Sequence, residues 1–384
     1  MSVVAKKESC LIYRGSNGFR MRLILSVLSG RPVKINDIRC MDDFPGLREY
    51  EVNLIRLLDK ITNGTTVELN YTGTSVYFQP GLLQGGFVTH ECCKLRAISY
   101  YLEVLIALAP FCKKPLHCVL YGVTNAQNEV SVDSMITGLI PILKRFLVVD
   151  DGLSLKVVKR GMAPEGGGQV EFRCPTRKSL KPIQVLDAGK VKRIRGVVYA
   201  VRVSPTFANR IVERAKSVLL HYLPDVYINT DHCKGDKSGK SPGFGVSLTA
   251  ETTTGVFYTC DNHSNIPSPD IEPSVPEDLG IHAANLLLEE IYRGGCVSSS
   301  YQSLVALWMS LTQKDISKFL IGPLSPYMIK FLQHIQDFFG LTFKLDAKEK
   351  DDDDDDDEEL NQGAKKVLIT CLGIGYSNLS KRTL

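Results

Sequence analysis

The feature of this 384-residue chain that most constrains its fold is a pattern that comes round more than once: a glycine turn, an amphipathic helix, then a short β-rich segment. The first instance runs from Gly15-Ser16-Asn17-Gly18 into a helix over Phe19–Ser29, closed by Gly30. Leu23, Ile24, Val27 and Leu28 fall on one face at helical spacing, and Arg22 falls off it. Residues 45–63 predict a second helix with an apolar face of Leu54, Ile55, Leu58 and Ile61 and Gly64 as its C-cap. Residues 66–71 and 75–79 alternate as strands. The second instance opens at Gly85-Gly86 and continues through a helix over 95–108, a strand over 116–121 and a helix over 132–146. The third opens at Gly166-Gly167-Gly168, is interrupted, and resumes at the helix 276–293, with early Glu277-Asp278 and terminal Gly294-Gly295. Recurring β/α units of about this size point to three copies of one α/β module.

The interruption is itself domain-like. Residues 186–223 read strand, strand, helix, with Ile211, Val212, Ala215, Val218 and Leu219 on the helix face, and residues 262–276 form a Pro/Ser-rich link back. The expected organisation is a large repeat domain over 1–185 and 277–384, a small α/β domain over 186–276, and an acidic disordered loop over 348–362.

That loop follows from charge. Seven aspartates and two glutamates run unbroken over 351–359, carrying −9 in a chain whose net charge is +4, so the remainder carries +13. Such a run repels itself and does not pack. The apolar strand over 366–373 follows it, which makes it an insertion within the fold. A body of +13 favours polyanions such as RNA, although a solvated basic surface has the same composition. Eleven cysteines are scattered with no C-x-x-C pair, only Cys92 and Cys93 are adjacent, and no charged-then-apolar leader opens at Met1. Reduced, buried thiols in an intracellular protein are expected. Apolar runs such as 104–110 are too short to span a bilayer, so a soluble protein with no membrane partner is expected.

Several ordered segments resemble the RNA 3′-terminal phosphate cyclase family. Ile38-Arg39 before Pro45-Gly46-Leu47 is similar to its I-R…P-G-L segment. Phe78-x-Pro80-Gly81 before Gly85-Gly86 is similar to its F-x-P-G…G-G turn, and Gly161-x-x-Pro164-x-Gly166-Gly167-Gly168 resembles its G-x-x-P-x-G-G-G signature. Ile194-Arg195-Gly196 resembles the start of its inserted domain. The resemblance spans about the whole chain. It implies an α/β (α+β) fold: three repeated units, each a four-stranded sheet with two helices, plus a small inserted α/β domain.

The family's catalytic residues map poorly. Its active histidine falls on Tyr327 of Ser325-Pro326-Tyr327, its asparagine on Phe331, and its D-Q-L on Gln302-Ser303-Leu304. The basic pair before P-G-L becomes Asp42 and Phe44, the following histidine becomes Glu51, and Arg20 and Arg39 survive as anion- or RNA-binding candidates. A phenol with a pKa near 10 does not replace an imidazole as a nucleophile near neutral pH. The departures, with Gly30-Arg31-Pro32-Val33-Lys34-Ile35 and residues 57–64, resemble the cyclase-like branch of the family. That resemblance implies no catalytic residue, no cofactor, a nucleolar place in the nucleus, early small-subunit rRNA processing, and two partners: a nucleolar GTPase of the small-subunit processome and pre-rRNA. A pre-rRNA endonuclease on the same scaffold is the alternative; a residual ATP-dependent cyclase ranks below it.

Further candidates come from the residues alone. Lys190, Lys192, Arg193 and Arg195 form a dense basic stretch suited to an RNA or protein contact, or to a solvated strand face. Lys314, Asp315 and Lys318 are the nearest charges upstream of position 327 that could assist strand scission. His334, two helical turns past Tyr327, reads as structural. His232-Cys233 and Cys260 with His263 match no standard zinc spacing, so no metal is expected. Gly166–168 lack the following G-K-[ST] of a P-loop and suit a tight turn.

Overall fold

The computed structural model describes residues 10–127, 129–148, 151–266, 272–347 and 365–378. The acidic run 351–359 and the loop 348–362 expected around it lie outside the described residues.

The first unit is β1 (Leu11–Arg14), α1 (Phe19–Ser29), β2 (Val33–Asn36), α2 (Glu49–Ile61), a short ribbon strand β3 (Thr62–Asn63), β4 (Thr66–Leu69) and β5 (Val76–Gln79). Its sheet order is β1-β2-β5-β4, with β1 and β2 parallel and β5 antiparallel to both β2 and β4. The second unit follows ribbon strand β6 (Leu82–Leu83), which pairs with β3. It comprises β7 (Gly85–Glu91), α3 (Ile98–Leu108), β8 (Lys114–Gly122), α4 (Val132–Ser134) running through a π turn over Met135–Leu139 into α5 (Ile140–Leu147), β9 (Ser154–Lys159) and β10 (Gly168–Cys174). Its sheet order, β7-β8-β10-β9, repeats the first.

The third unit is divided. Its first strand is β11 (Gln184–Val185). The inserted sheet then intervenes, with β12 (Val191–Val201), α6 (Pro205–Leu219), β13 (Val226–Cys233), β14 (Gly243–Thr252), β15 (Phe257–His263) and α7 (Pro276–Arg293). The unit resumes with α8 (Gln302–Leu311), β16 (Ile316–Ile321), α9 (Pro326–Phe339), β17 (Lys344–Ala347) and β18 (Val367–Leu372), in the order β11-β16-β18-β17. The same β-α-β-α-β-β order thus builds three mixed four-stranded sheets. The fourth sheet, β13-β12-β14-β15, is wired differently.

Six details depart from the sequence expectations. α2 starts at Glu49, because the Glu51 carboxylate turns back to accept from the Arg48 backbone N–H at 2.8 Å and closes the helix start there. It ends on Thr62, and Gly64 lies two residues beyond with φ 83°. α1 is buried nearly all round: Arg22, expected on the outer face, is only 5% exposed, donates to the Gly15 carbonyl at 2.8 Å and lies over the Tyr13 ring. Gly166–168 lead into β10, so they close the second unit and do not open the third; Gly166, at φ 63°, passes against the Gly122 backbone where a side chain would clash. Finally, α7 packs along α6 and across β14 and β15, on the inserted sheet, and the stretch 186–223 holds one long strand where two were expected, since β11 belongs to the third sheet.

One apolar core runs through all four sheets, from Phe19 and Leu54 through Tyr101 and Phe172 to Trp308 and Phe331. All eleven cysteines are free; Cys10 and Cys40 are exposed, against the expectation of buried thiols. Among the described residues no helix is long and apolar enough to cross a membrane.

Candidate functional site

Tyr327 stands in the first turn of α9. Ser325 caps that turn by accepting from the Met328 N–H at 3.1 Å, and Pro326 occupies a first-turn position where no N–H is needed. The ring is 44% exposed. It lines a cleft of about 240 Å³ between α9 and the start of α1, together with Asn17, Gly18, Met21, Lys330, Phe331 and His334. Burial and the Glu103 carboxylate push the Tyr327 phenol up to about 12, against the pull of Arg20, with which its hydroxyl interacts. Near neutral pH the group is a hydrogen-bonding phenol, not a phenolate.

Arg20 reaches this point from α1. It pairs with Glu103 of α3, donates to the Tyr100 carbonyl at 3.3 Å, and lies 4.8 Å from the centre of the Tyr100 ring. Burial alone would lower the guanidinium pKa; Glu103, Tyr327 and Tyr100 outweigh that and raise it. Glu103 itself is pushed up by burial, opposed by Arg20 and Arg96. The network continues without a gap. Arg96 stacks over Tyr50 and Tyr100 and pairs with Glu129, whose carboxylate also accepts from the Ala97 N–H at 2.8 Å. Tyr50 meets Tyr100 edge-on at 5.6 Å and lies 3.4 Å from Arg39. Arg39 forms a two-pronged pair with the buried Glu51, 2.8 Å on each prong, and donates to the Gly46 carbonyl at 3.2 Å. Arg39 holds φ 45°, an uncommon backbone state fixed by this side-chain clamp. Asp42 pairs with Arg48 at 3.3 Å on the outside.

Both expected anion-binding arginines are therefore brought into one network, and both are already matched by carboxylates. Gln302 is 3% exposed and Phe331 1% exposed, so these positions fill core. Sequence reading missed Glu103, Arg96 and Glu129. One signal was present: Glu103 is the lone carboxylate in the otherwise apolar helix ISYYLEVLIAL, and a buried carboxylate calls for a cation.

The remaining candidates lie apart. Lys192 and Arg193 both reach Glu251 at 2.7 Å, and Arg195 holds Asp225 with two bonds of 2.8 and 3.0 Å, so two carboxylates face four cations on this stretch. Lys190 is exposed. Lys318 stands in β16 opposite Thr370, the Asp315 carboxylate accepts from the Ile316 N–H at 2.7 Å, and the Lys314 stem runs beside Gly375; none of the three lines the cleft. His334 lies 3.4 Å from Arg22 and is lowered to about 4, first by burial and then by Arg22. His232 contacts the Val203 carbonyl, Cys260 the Ala283 carbonyl and His263 the Tyr199 hydroxyl. Among the described residues no three His, Cys, Asp or Glu side chains converge as a metal site would require.

Residues 11–345 match the protein family described as RNA 3′-terminal phosphate cyclase. The chain belongs to that family. Within it the chain is 58% identical to the "Probable RNA 3'-terminal phosphate cyclase-like protein" of Drosophila melanogaster over 386 residues, covering all of both chains. It is 57% identical to the human "RNA 3'-terminal phosphate cyclase-like protein", covering 98% of this chain and 99% of the relative. It is 38% identical to the "rRNA processing protein rcl1" of Schizosaccharomyces pombe, covering 96% and 97%. The four-sheet architecture accords with the cyclase fold, and the chain stands among the family's cyclase-like members.

Proposed function

We propose that this protein is a non-cyclase ribosome-biogenesis factor that acts in early small-subunit pre-rRNA processing, in the nucleolus, as part of the small-subunit processome. Its partners in this reading are a nucleolar GTPase and pre-rRNA. A relative named as an rRNA processing protein supports the process. The observation that carries the non-cyclase part is the pairing of Arg20 with Glu103 and of Arg39 with Glu51. A phosphate clamp needs cations whose charge is available to the ligand. Here each arginine is engaged within the fold, and the group beside them is a phenol. The position taken by the family's histidine is Tyr327 on the resemblance of the surrounding segment, so adenylation has no nucleophile.

The test has two arms. Affinity purification of the tagged protein from a nucleolar extract should recover a GTPase and pre-rRNA; recovery of neither would reject the assembly role. Incubation of the pure protein with a pre-rRNA fragment should leave the RNA intact with or without EDTA. Discrete cleavage by the pure chain would establish the endonuclease alternative.

A further inference from the structure

We infer that the outer face of the β7-β8-β10-β9 sheet is a platform for single-stranded RNA, with bases stacked on Phe87 and Tyr121. The inference rests on the RNA-binding part of the proposed function and names the surface that does it.

The pairing registers fix which side chains share this face. One row across the sheet is Phe87, His117, Arg173 and Ser154; the next is Thr89, Val119, Glu171 and Lys156; the third is Glu91, Tyr121, Gln169 and Lys159. The alternate residues Val88, Leu116, Cys118, Leu120, Val170 and Phe172 enter the core, so these rows face away from it, with Val119 in the middle row 9% exposed between its neighbours. Phe87 is 67% exposed and Tyr121 40% exposed. Two large rings held out on one sheet face offer flat apolar surfaces to a ligand that can stack on them. His117 stands edge-on to Phe87 at 5.0 Å, which adds a second ring to that row. His117 and Tyr121 are separated by four steps along β8, about 13 Å at the usual strand rise.

Charge decides between occupants. Lys156, Lys159 and Arg173 stand on the face, against Glu91 and Glu171. Glu171 and Arg173 engage each other at 2.5 Å, with His117 2.7 Å from the same carboxylate, and these contacts hold that carboxyl below the usual range; Lys156 and Lys159 then stand against Glu91. Exposed aromatics flanked by lysines are what a single strand uses: a π-face under each base and a cation near each phosphate. A duplex hides its base faces and gains only the charge term. An acidic protein would meet the lysines but has no need of two flat rings in line with them.

The test uses the full chain with a labelled single-stranded oligoribonucleotide of mixed sequence and the matching duplex. The double variant F87A/Y121A should bind the single strand at least about 30-fold more weakly, leave duplex binding unchanged, and melt close to the parent, since both rings are exposed. F87Y should keep parental affinity. K156A/K159A should lower the slope of log affinity against log salt by about 1.4 for the single strand. Parental binding by F87A/Y121A would overturn the platform while leaving RNA binding in place. Absence of single-strand binding by the parent chain would overturn both the platform and the RNA part of the proposed function. Loss of GTPase binding by F87A/Y121A with RNA binding intact would reassign the face to protein docking.

Discussion

Arg20 is held between a carboxylate and two phenols, and that arrangement sets what a change at position 327 can do. Tyr327→His places an imidazole beside a guanidinium that Glu103 already occupies, with Phe331 filling core one helical turn further along the same cleft. Cooperating groups are not restored by returning one of them. The variant should therefore show no protein-bound AMP after incubation with labelled ATP and Mg²⁺; an acid-labile adenylate on the purified protein would mean that the pocket retains its phosphate clamps. Two histidines give this scale its pH dependence. His90, whose ring shares a 2.8 Å hydrogen bond with Asn53, and His334 are each lowered to about 4 from 6.5, first by burial. Both fold neutral, so their contribution is complete above about pH 6.5 and is lost as pH falls through about 4, where the unfolded chain binds protons first. The unfolding free energy from urea titrations should drop across that window, by up to roughly 3 kcal/mol per histidine, and His90→Gln should shallow the drop. At this scale the position of Tyr327 was legible through the resemblance of its segment, while Ser325 as the helix cap was not read. The partners of Arg20 and Arg39 were not, since they come from other helices and no spacing along the chain encodes them.

Elements were legible where the chain marks its own boundaries. α1 and α7 fall on the expected residues because Gly30, in the left-handed region at φ 75°, and Gly294, also at positive φ, end them and Pro276 starts the second. α2 starts late because its cap is a carboxylate three residues inside, a device that composition does not reveal. β11 is two residues long and carries no periodicity, so the third unit was assigned a start at the glycines before β10. The ends of α7 were plain, but its ends do not say which sheet the helix covers. Helix capping makes a direct prediction. Ser325→Ala removes the acceptor for the Met328 N–H and should cost about 1 kcal/mol of stability, read by chemical denaturation; a change within error would mean that Pro326 and the packing of Met328 and Phe331 fix the turn unaided.

For the whole molecule, the three-fold recurrence and the insertion were legible, and so was the charge imbalance, because these are properties of long stretches. The fastening between units was not. Arg160, near the end of β9, grips Asp133 of α4 with bonds of 2.7 and 2.8 Å and Asp231 of β13 at 2.7 Å, and lies over Tyr199 of β12, so one buried guanidinium joins the second unit to the inserted sheet. No local pattern foretells a residue whose partners lie 27 and 71 positions away. The acidic run enters at this scale as well. Deleting 351–359 removes like charges that repel one another and shortens a connection at small entropic cost. Melting temperature at physiological salt should change by less than a few degrees, checked by calorimetry; a fall of many degrees would show the run to be bound on the basic body and to hold it together.

The divided third unit also dictates an order of events during synthesis. The first two sheets are contiguous in the chain, and each can close soon after its last strand leaves the ribosome. β11 emerges early but pairs with β16, after the whole inserted sheet and α8 have been made. Until then two strand residues wait beside an unfinished core, and the β16-β18 pairing that completes the sheet involves residues near the end of the chain. Non-local pairing of this kind is slow and leaves apolar surface open while it is pending. A nascent chain stalled before residue 316 should hold two finished units and a protease-sensitive remainder, and chaperones that bind extended apolar segments should find it there.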